Sequence, residues 1–150
     1  MQTKSSTTAN VPVKQEETLS VSGNDITVKI AGNETGNTYS LFELSVPPNV
    51  GAGLHIDKDW DEFWHVMEGT FAFTLNGEQK NLSAGDFAYG PKGIPHSFKN
   101  VGKTTGKLVM LTRPSGLEKF FKAVHEAFLN DTPNKEAFVN LMRSHHIEPA

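Results

Sequence analysis

Residues 85–100 read GDFAYGPKGIPHSFKN, two short aromatic stretches held apart by a rigid turn. Gly85 suits a tight turn into DFAYG, because glycine enters positive φ without a Cβ clash. Pro91-Lys92-Gly93 suits a second turn with positive φ at Gly93, and Pro95 holds the chain extended immediately before His96. An imidazole introduced in this way has little room to wander. The order is strand, turn, strand, with one chemically capable side chain fixed at the start of the second strand. By the period of two, Phe98 and Asn100 share the face of His96.

The same texture extends in both directions. LSVSGNDITVKI reads as two strands around Gly23-Asn24-Asp25, and YSLFELSV as a strand ending before Pro47-Pro48. FWHVM and TFAFTL alternate as half-buried strands do, and Asn76-Gly77 is a strong hairpin signal. KLVMLT follows VGKTTG. Many short strands spaced by Gly/Pro turns, in a chain with 13 Gly, 8 Pro and ten Phe, predict an all-β antiparallel sandwich or barrel. Phe42 and Leu44, Phe71 and Phe73, and Phe87 and Tyr89 each share a face; alternation leaves open which face is inside.

The pattern changes at Pro114. Ser115 with Glu118 fits a capping box, and Leu117, Phe120, Phe121, Val124 and Phe128 repeat at helical spacing. Thr132-Pro133 looks like a second helix start, with Phe138, Leu141 and Met142 as its apolar stripe. Two short helices that cover a sheet face or an open barrel end are expected. Residues 1–18 read as a mobile polar tail, 19–113 as the barrel and 114–150 as a helical extension packed on it.

At 150 residues the chain suits one domain with a real core. A net charge of −3 offers no basic face to nucleic acid, and no apolar run approaches the roughly 20 residues needed to span a bilayer. The first residues lack an apolar signal region and the chain has no Cys, which fits a cytoplasmic protein. Any metal site must therefore use His and carboxylate ligands.

The second informative stretch is HIDKDWDEFWHV, residues 55–66. On a strand, residues 55 and 57 leave the same face while Ile56 takes the other. If Glu62 faces inward, Trp64 and Val66 do as well. His65, His125, His145 and His146 have no partner at ligand spacing and read as polar surface.

Together these stretches resemble the two motifs of the cupin superfamily, G-x5-H-x-H-x3,4-E-x6-G and G-x5-P-x-G-x2-H-x3-N. The second is complete from Gly85 to Asn100. In the first, the leading Gly falls at Asn49 and the second His is Asp57. The run from ETGNTYSLFELSVPP to RPSGLEKFF is similar to the small single-domain cupins of the quercetin-dioxygenase-like kind. That resemblance implies a double-stranded β-helix, or jelly-roll barrel, with two short C-terminal helices and one divalent metal ion inside. It implies His55, Glu62 and His96 as ligands, with Asp57 in the remaining position. Two imidazoles and a carboxylate suit Fe, Zn, Mn, Ni or Co. An aspartate ends nearer its own Cβ than the Nε2 of a histidine does, so direct ligation by Asp57 and a water bridge both stay open. Asn100 reads as a residue that holds backbone.

The resemblance implies an oxygenase-type enzyme acting on a small aromatic or hydrophobic molecule, with Glu62 doubling as a base. A non-catalytic small-ligand binding or sensing cupin, with or without metal, is the alternative. Arg113 is the only arginine of the barrel region, which weakens any sugar-phosphate reading. A homodimer is expected, with residues 21–30 crossing to the neighbour.

Overall fold

Period-two alternation is realised as eleven strands in the computed structural model, which describes residues 16–129 and 134–150. They begin with β1 (Glu17–Val21), β2 (Asn24–Ile30), β3 (Ser40–Val46), β4 (Gly51–Asp57), β5 (Asp61–Glu68) and β6 (Thr70–Leu75). Next come β7 (Glu78–Ser83), β8 (Phe87–Gly90), β9 (His96–Asn100) and β10 (Gly106–Arg113). Helices α1 (Leu117–Ala127) and α2 (Lys135–Ser144) follow, and β11 (Ile147–Pro149) ends the chain. One sheet runs β1-β2-β3-β10-β5-β8 and the other β11-β4-β9-β6-β7, with antiparallel pairing throughout, as the double-stranded β-helix requires.

Turn chemistry sets the registers. Asn76 and Gly77 both take positive φ, +49° and +82°, so Leu75 pairs with Glu78 as in a two-residue hairpin. Asn49 adopts φ +64°, which explains how it stands where the first motif has glycine: asparagine is among the few residues that tolerate this region.

The inward faces meet as one apolar core. Phe42, Leu44, Trp64, Val66, Leu108 and Met110 come from the first sheet, and Phe71, Phe73 and Phe98 from the second. Each such side chain contributes on the order of 2 kcal/mol by leaving water. Trp64 also decides the side open to question in β8. A Cβ on Gly90 would fall 3.0 Å from the Trp64 ring, so the inward positions of β8 hold only Ala88 and Gly90. Phe87 and Tyr89 are turned outward, 71% and 48% exposed, and stack on His65 and Phe63.

Three expectations need correction. Residues 17 and 18 already belong to β1, and Glu16 pairs with Lys29 at 2.7 Å, whereas residues 1–15 of the proposed tail lie outside the described residues. The extension does not end in helix, since β11 returns to pair with β4. Ser115 and Glu118 do not form a capping box: Gly116 occupies the N-cap and no side chain caps it. The Glu118 carboxylate accepts instead from Gly32 N at 2.9 Å, Ser40 Oγ at 2.7 Å and Gly116 N at 3.1 Å. It is spent on stitching α1 to the barrel. Burial raises its proton affinity, but these donors outweigh that and hold the carboxyl below its usual range.

The proposed start at Thr132-Pro133 lies outside the described residues; α2 is capped by Asn134, whose Oδ1 accepts from Glu136 N at 2.9 Å. No helix among the described residues is long and apolar enough to cross a membrane.

Candidate metal centre

Strands β4 and β9 pair so that His55 lies directly opposite His96, their ring centroids 4.3 Å apart. The turn of residues 91–95 is anchored to the strands that carry the carboxylates. Gly93, at φ +82°, donates its N–H to Asp57 O at 2.8 Å, and Lys92 N donates to Asp61 Oδ1 at 3.0 Å. The rigid loop seen in the sequence thus fixes His96 against the end of β4 and the start of β5.

Each imidazole is oriented by its own backbone. His55 Nδ1 lies 2.6 Å from Gly53 O, and His96 Nδ1 lies 3.0 Å from Ile94 O. A carbonyl only accepts, so both Nδ1 atoms carry a proton and both Nε2 atoms face the interior, where each offers a lone pair once it gives up any second proton. Metal-ligating histidines use this arrangement.

Those nitrogens converge with two carboxylates. His96 Nε2 is 3.1 Å from both Asp57 Oδ2 and Glu62 Oε2, and His55 Nε2 is 3.5 Å from Asp57 Oδ2. One candidate ligand atom from each of the four residues lies within 4.8 Å of the others. Asp57, Glu62 and His96 are at most 3% exposed. Yet Asp57 Oδ1, Asp57 Oδ2 and His96 Nε2 lack an aligned hydrogen-bond partner. Polar atoms so deeply buried are normally paired. These aim at a shared centre rather than at one another, and two neutral imidazoles with two carboxylates form a donor set that fits a divalent ion.

The electrostatics of the metal-free cluster agree. For His96, burial disfavours the imidazolium, but the Asp57 and Glu62 carboxylates outweigh it and hold its pKa up to about 10. For His55, burial acts the same way and Asp57 again prevails, raising it. Burial would raise Asp57, but the two imidazoles push it well below the usual carboxylate range. Glu62 is raised, first by burial and then by the Asp57 charge. The cluster is an anionic trap that holds a proton when no metal is present.

His55, Asp57 and Glu62 also line a cavity of about 290 Å³ whose remaining wall is almost wholly apolar. Leu44, Phe98 and Met110 come from the barrel, Phe120 and Phe121 from α1, and Phe138, Val139 and Met142 from α2.

All four candidate ligands are therefore brought together, and Asp57 reaches the cluster without falling short. The remaining described histidines stay apart: His146 pairs with Asp59 at 2.6 Å, His125 accepts from Ser20 N, His145 Nδ1 meets Leu141 O and His65 stacks on Phe87. Asn100 holds backbone, donating to Val46 O at 2.8 Å and Thr104 O at 2.9 Å while accepting from Gly102 N at 2.8 Å. The contribution of α2 to the cavity is not apparent from the Phe138, Leu141, Met142 stripe; the spacing of Phe138, Val139 and Met142 is the signal that carries it.

Residues 42–112 match the family model described as the cupin domain. The chain is 32% identical over 98 residues to quercetin 2,3-dioxygenase of Bacillus subtilis (strain 168), covering 65% of this chain and 29% of that protein. It is 26% identical over 106 residues to the HTH-type transcriptional regulator PuuR of Escherichia coli (strain K12), covering 70% of this chain and 57% of the regulator. These matches span well under two thirds of either relative. In fold, the crystal structure of an RmlC-like cupin from Shewanella frigidimarina NCIMB 400 aligns with a TM-score of 0.59 at 18% identity, covering 70% of this chain and 89% of that one.

Proposed function

This chain belongs to the cupin superfamily, and from that premise we propose that it binds one divalent metal ion through His55, Asp57, Glu62 and His96. We further propose oxygenase-type action on a small aromatic or hydrophobic molecule held in the adjoining cavity. The observation that carries this reading is the convergence of four ligand-capable atoms within 4.8 Å, three of whose residues, His55, Asp57 and Glu62, line an apolar pocket. Its extent, 290 Å³, lies at the small end of ligand pockets.

His55 and His96 would offer Nε2, kept free by the backbone bonds at Nδ1. Asp57 and Glu62 would bring two negative charges, enough to neutralise a divalent cation in a buried site. A bound ion of the Fe, Zn, Mn, Ni or Co type would supply Lewis acidity or, for the redox-active metals, one-electron chemistry. Glu62, whose carboxylate lines the cavity, is the group we assign to accept a proton from the ligand. The apolar wall would exclude water and select against phosphorylated compounds. The similarity to quercetin 2,3-dioxygenase supports the oxygenase reading over other metal chemistries.

A non-catalytic binding cupin is the second reading. It is favoured by the reach of Asp57, because four protein ligands fill a tetrahedral site and leave no open position. The similarity to a transcriptional regulator points the same way.

Elemental analysis of protein purified without a His tag tests the metal assignment. About one divalent ion per chain is expected, and His96→Ala should abolish it and lower the melting temperature in metal-containing buffer. Unchanged metal content in that variant would refute the ligand set. Oxygen uptake with a flavonol then separates enzyme from binding module.

A further inference from the structure

The wall of the cavity is not uniformly apolar. Outside the metal-site cluster it has, among the described residues, one charged residue, Lys135, the first residue of α2. Lys135, Phe138, Val139 and Met142 stand at i, i+3, i+4 and i+7, so they share one helical face, and all four line the cavity. Only Met142 among the residues of α2 is buried. Phe138 and Leu141 pack against the core only in part, so the apolar face of this helix is shared between core and cavity.

The placement of Lys135 is unfavourable by itself. A cation in the first turn opposes the helix dipole, whose positive end already lies there. Lys29, Lys80 and Lys122 each stand within 3.3 Å of a glutamate, whereas other lysines such as Lys99 and Lys107 are unpaired on the surface among the described residues; Lys135 differs from those in lining a cavity. Lys135 forms no ion pair or side-chain hydrogen bond among the described residues. Lys135 therefore brings one cation to the edge of an otherwise apolar cavity.

We propose that the ligand is an apolar carboxylic acid, with its carboxylate held at the rim by Lys135 and its body in the cavity against Phe138, Val139 and Met142. The inference rests on the small-ligand part of the function proposed above and does not require the metal. Lys135 sets specificity for the acid over neutral molecules of the same shape, and Val139 sets the room available to the body. A single lysine and no arginine at the rim suits one carboxylate better than a phosphate, which takes more donors.

The test is calorimetric titration of the full chain, metal-free and metal-loaded, with octanoate and with octan-1-ol. Wild-type protein should bind octanoate more tightly than the alcohol in both states. Lys135→Met, which keeps the reach of the side chain but not its charge, should weaken octanoate about fivefold or more and leave octan-1-ol unchanged. Val139→Trp, with its fold checked by circular dichroism, should lose both ligands by filling the cavity. An unchanged preference for the acid in Lys135→Met would overturn the proposal. So would octanoate binding that survives Lys135→Met but disappears on metal removal, because the acid would then sit on the ion. If wild-type protein binds neither probe while holding its metal, the cavity assignment fails and the metal assignment stands.

Discussion

Neutralising Asp57 is the sharpest perturbation of the candidate centre. Asp57→Asn keeps the shape and one oxygen but removes a charge. With Glu62 alone, a divalent ion would retain one uncompensated positive charge beside side chains at most 3% exposed. Loss of an outer-shell partner alone typically weakens metal binding 10–100-fold. Loss of a direct ligand charge should therefore cost about a hundredfold or more, ~2.7 kcal/mol. Asp57→His is the complementary variant, since it restores the histidine of the motif. Asp57 Oδ2 already stands 3.1 Å from His96 Nε2 and 3.5 Å from His55 Nε2, so a longer imidazole enters occupied space. Its metal affinity should rise less than about tenfold, and its stability should fall by about 1–3 kcal/mol through overpacking. Competition titration with Co²⁺ and a chromophoric chelator measures both affinities, and thermal melts of the metal-free proteins measure the strain. Wild-type affinity in Asp57→Asn, or a gain well beyond tenfold in Asp57→His, would mean that Asp57 is not a ligand.

Proton competition should be visible. His96 is held up to about 10 from an unfolded value of 6.5, so its contribution to the stability of the metal-free protein is complete below about pH 6.5 and lost as pH rises through about 10. A metal ion must displace that proton, so apparent affinity should climb with pH across the same window; a flat profile would contradict this. Removing the Glu118 carboxylate strands donors of Gly32, Ser40 and Gly116. Glu118→Ala should cost about 3 kcal/mol or more, read by thermal denaturation, and a loss within experimental error would show that α1 does not depend on this tether. Strands β1 and β8 leave two open edges on one sheet, and the expected homodimer would cover one of them. Light scattering at micromolar protein should give twice 16.5 kDa, and a monomer mass would exclude it.

What could be read from the sequence was what local chemistry dictates. Gly85, Gly93 and Pro95 announce their turns through backbone preference alone, and period two places His55 with Asp57 and Glu62 with Trp64 on shared faces. Neither rule gives distance. That Asp57 reaches the cluster depends on the cross-strand pairing of His55 with His96 and on the bond from Gly93 to the Asp57 carbonyl, contacts between segments far apart in the chain. The inward side of β8 was illegible for a similar reason, because the Trp64 ring decides it from a neighbouring strand. Ser115 and Glu118 misled because the capping-box spacing is local, whereas the carboxylate found stronger partners 78 and 86 residues away. The return of β11 left no signal, since three residues are too few to show a period.

The same division bears on how the two halves of the site can change. The floor is built from β4, β5 and β9, whose geometry is locked by ladders, by the anchored turn of residues 91–95 and by the backbone bonds to both imidazoles. A substitution there disturbs strand registers as well as ligands. Helix α2 has no such constraint. It is capped by its own Asn134, buries only Met142 and turns the rest of its inner face to the cavity. Lys135 and Val139 take part in no strand pairing, so ligand preference can drift through them while the metal floor stays intact; Phe138 is held more tightly, against Phe120 and Phe128. On this view the C-terminal extension is more than a cover for an open barrel end: it is where small changes of sequence alter what the cavity accepts at least cost to the fold.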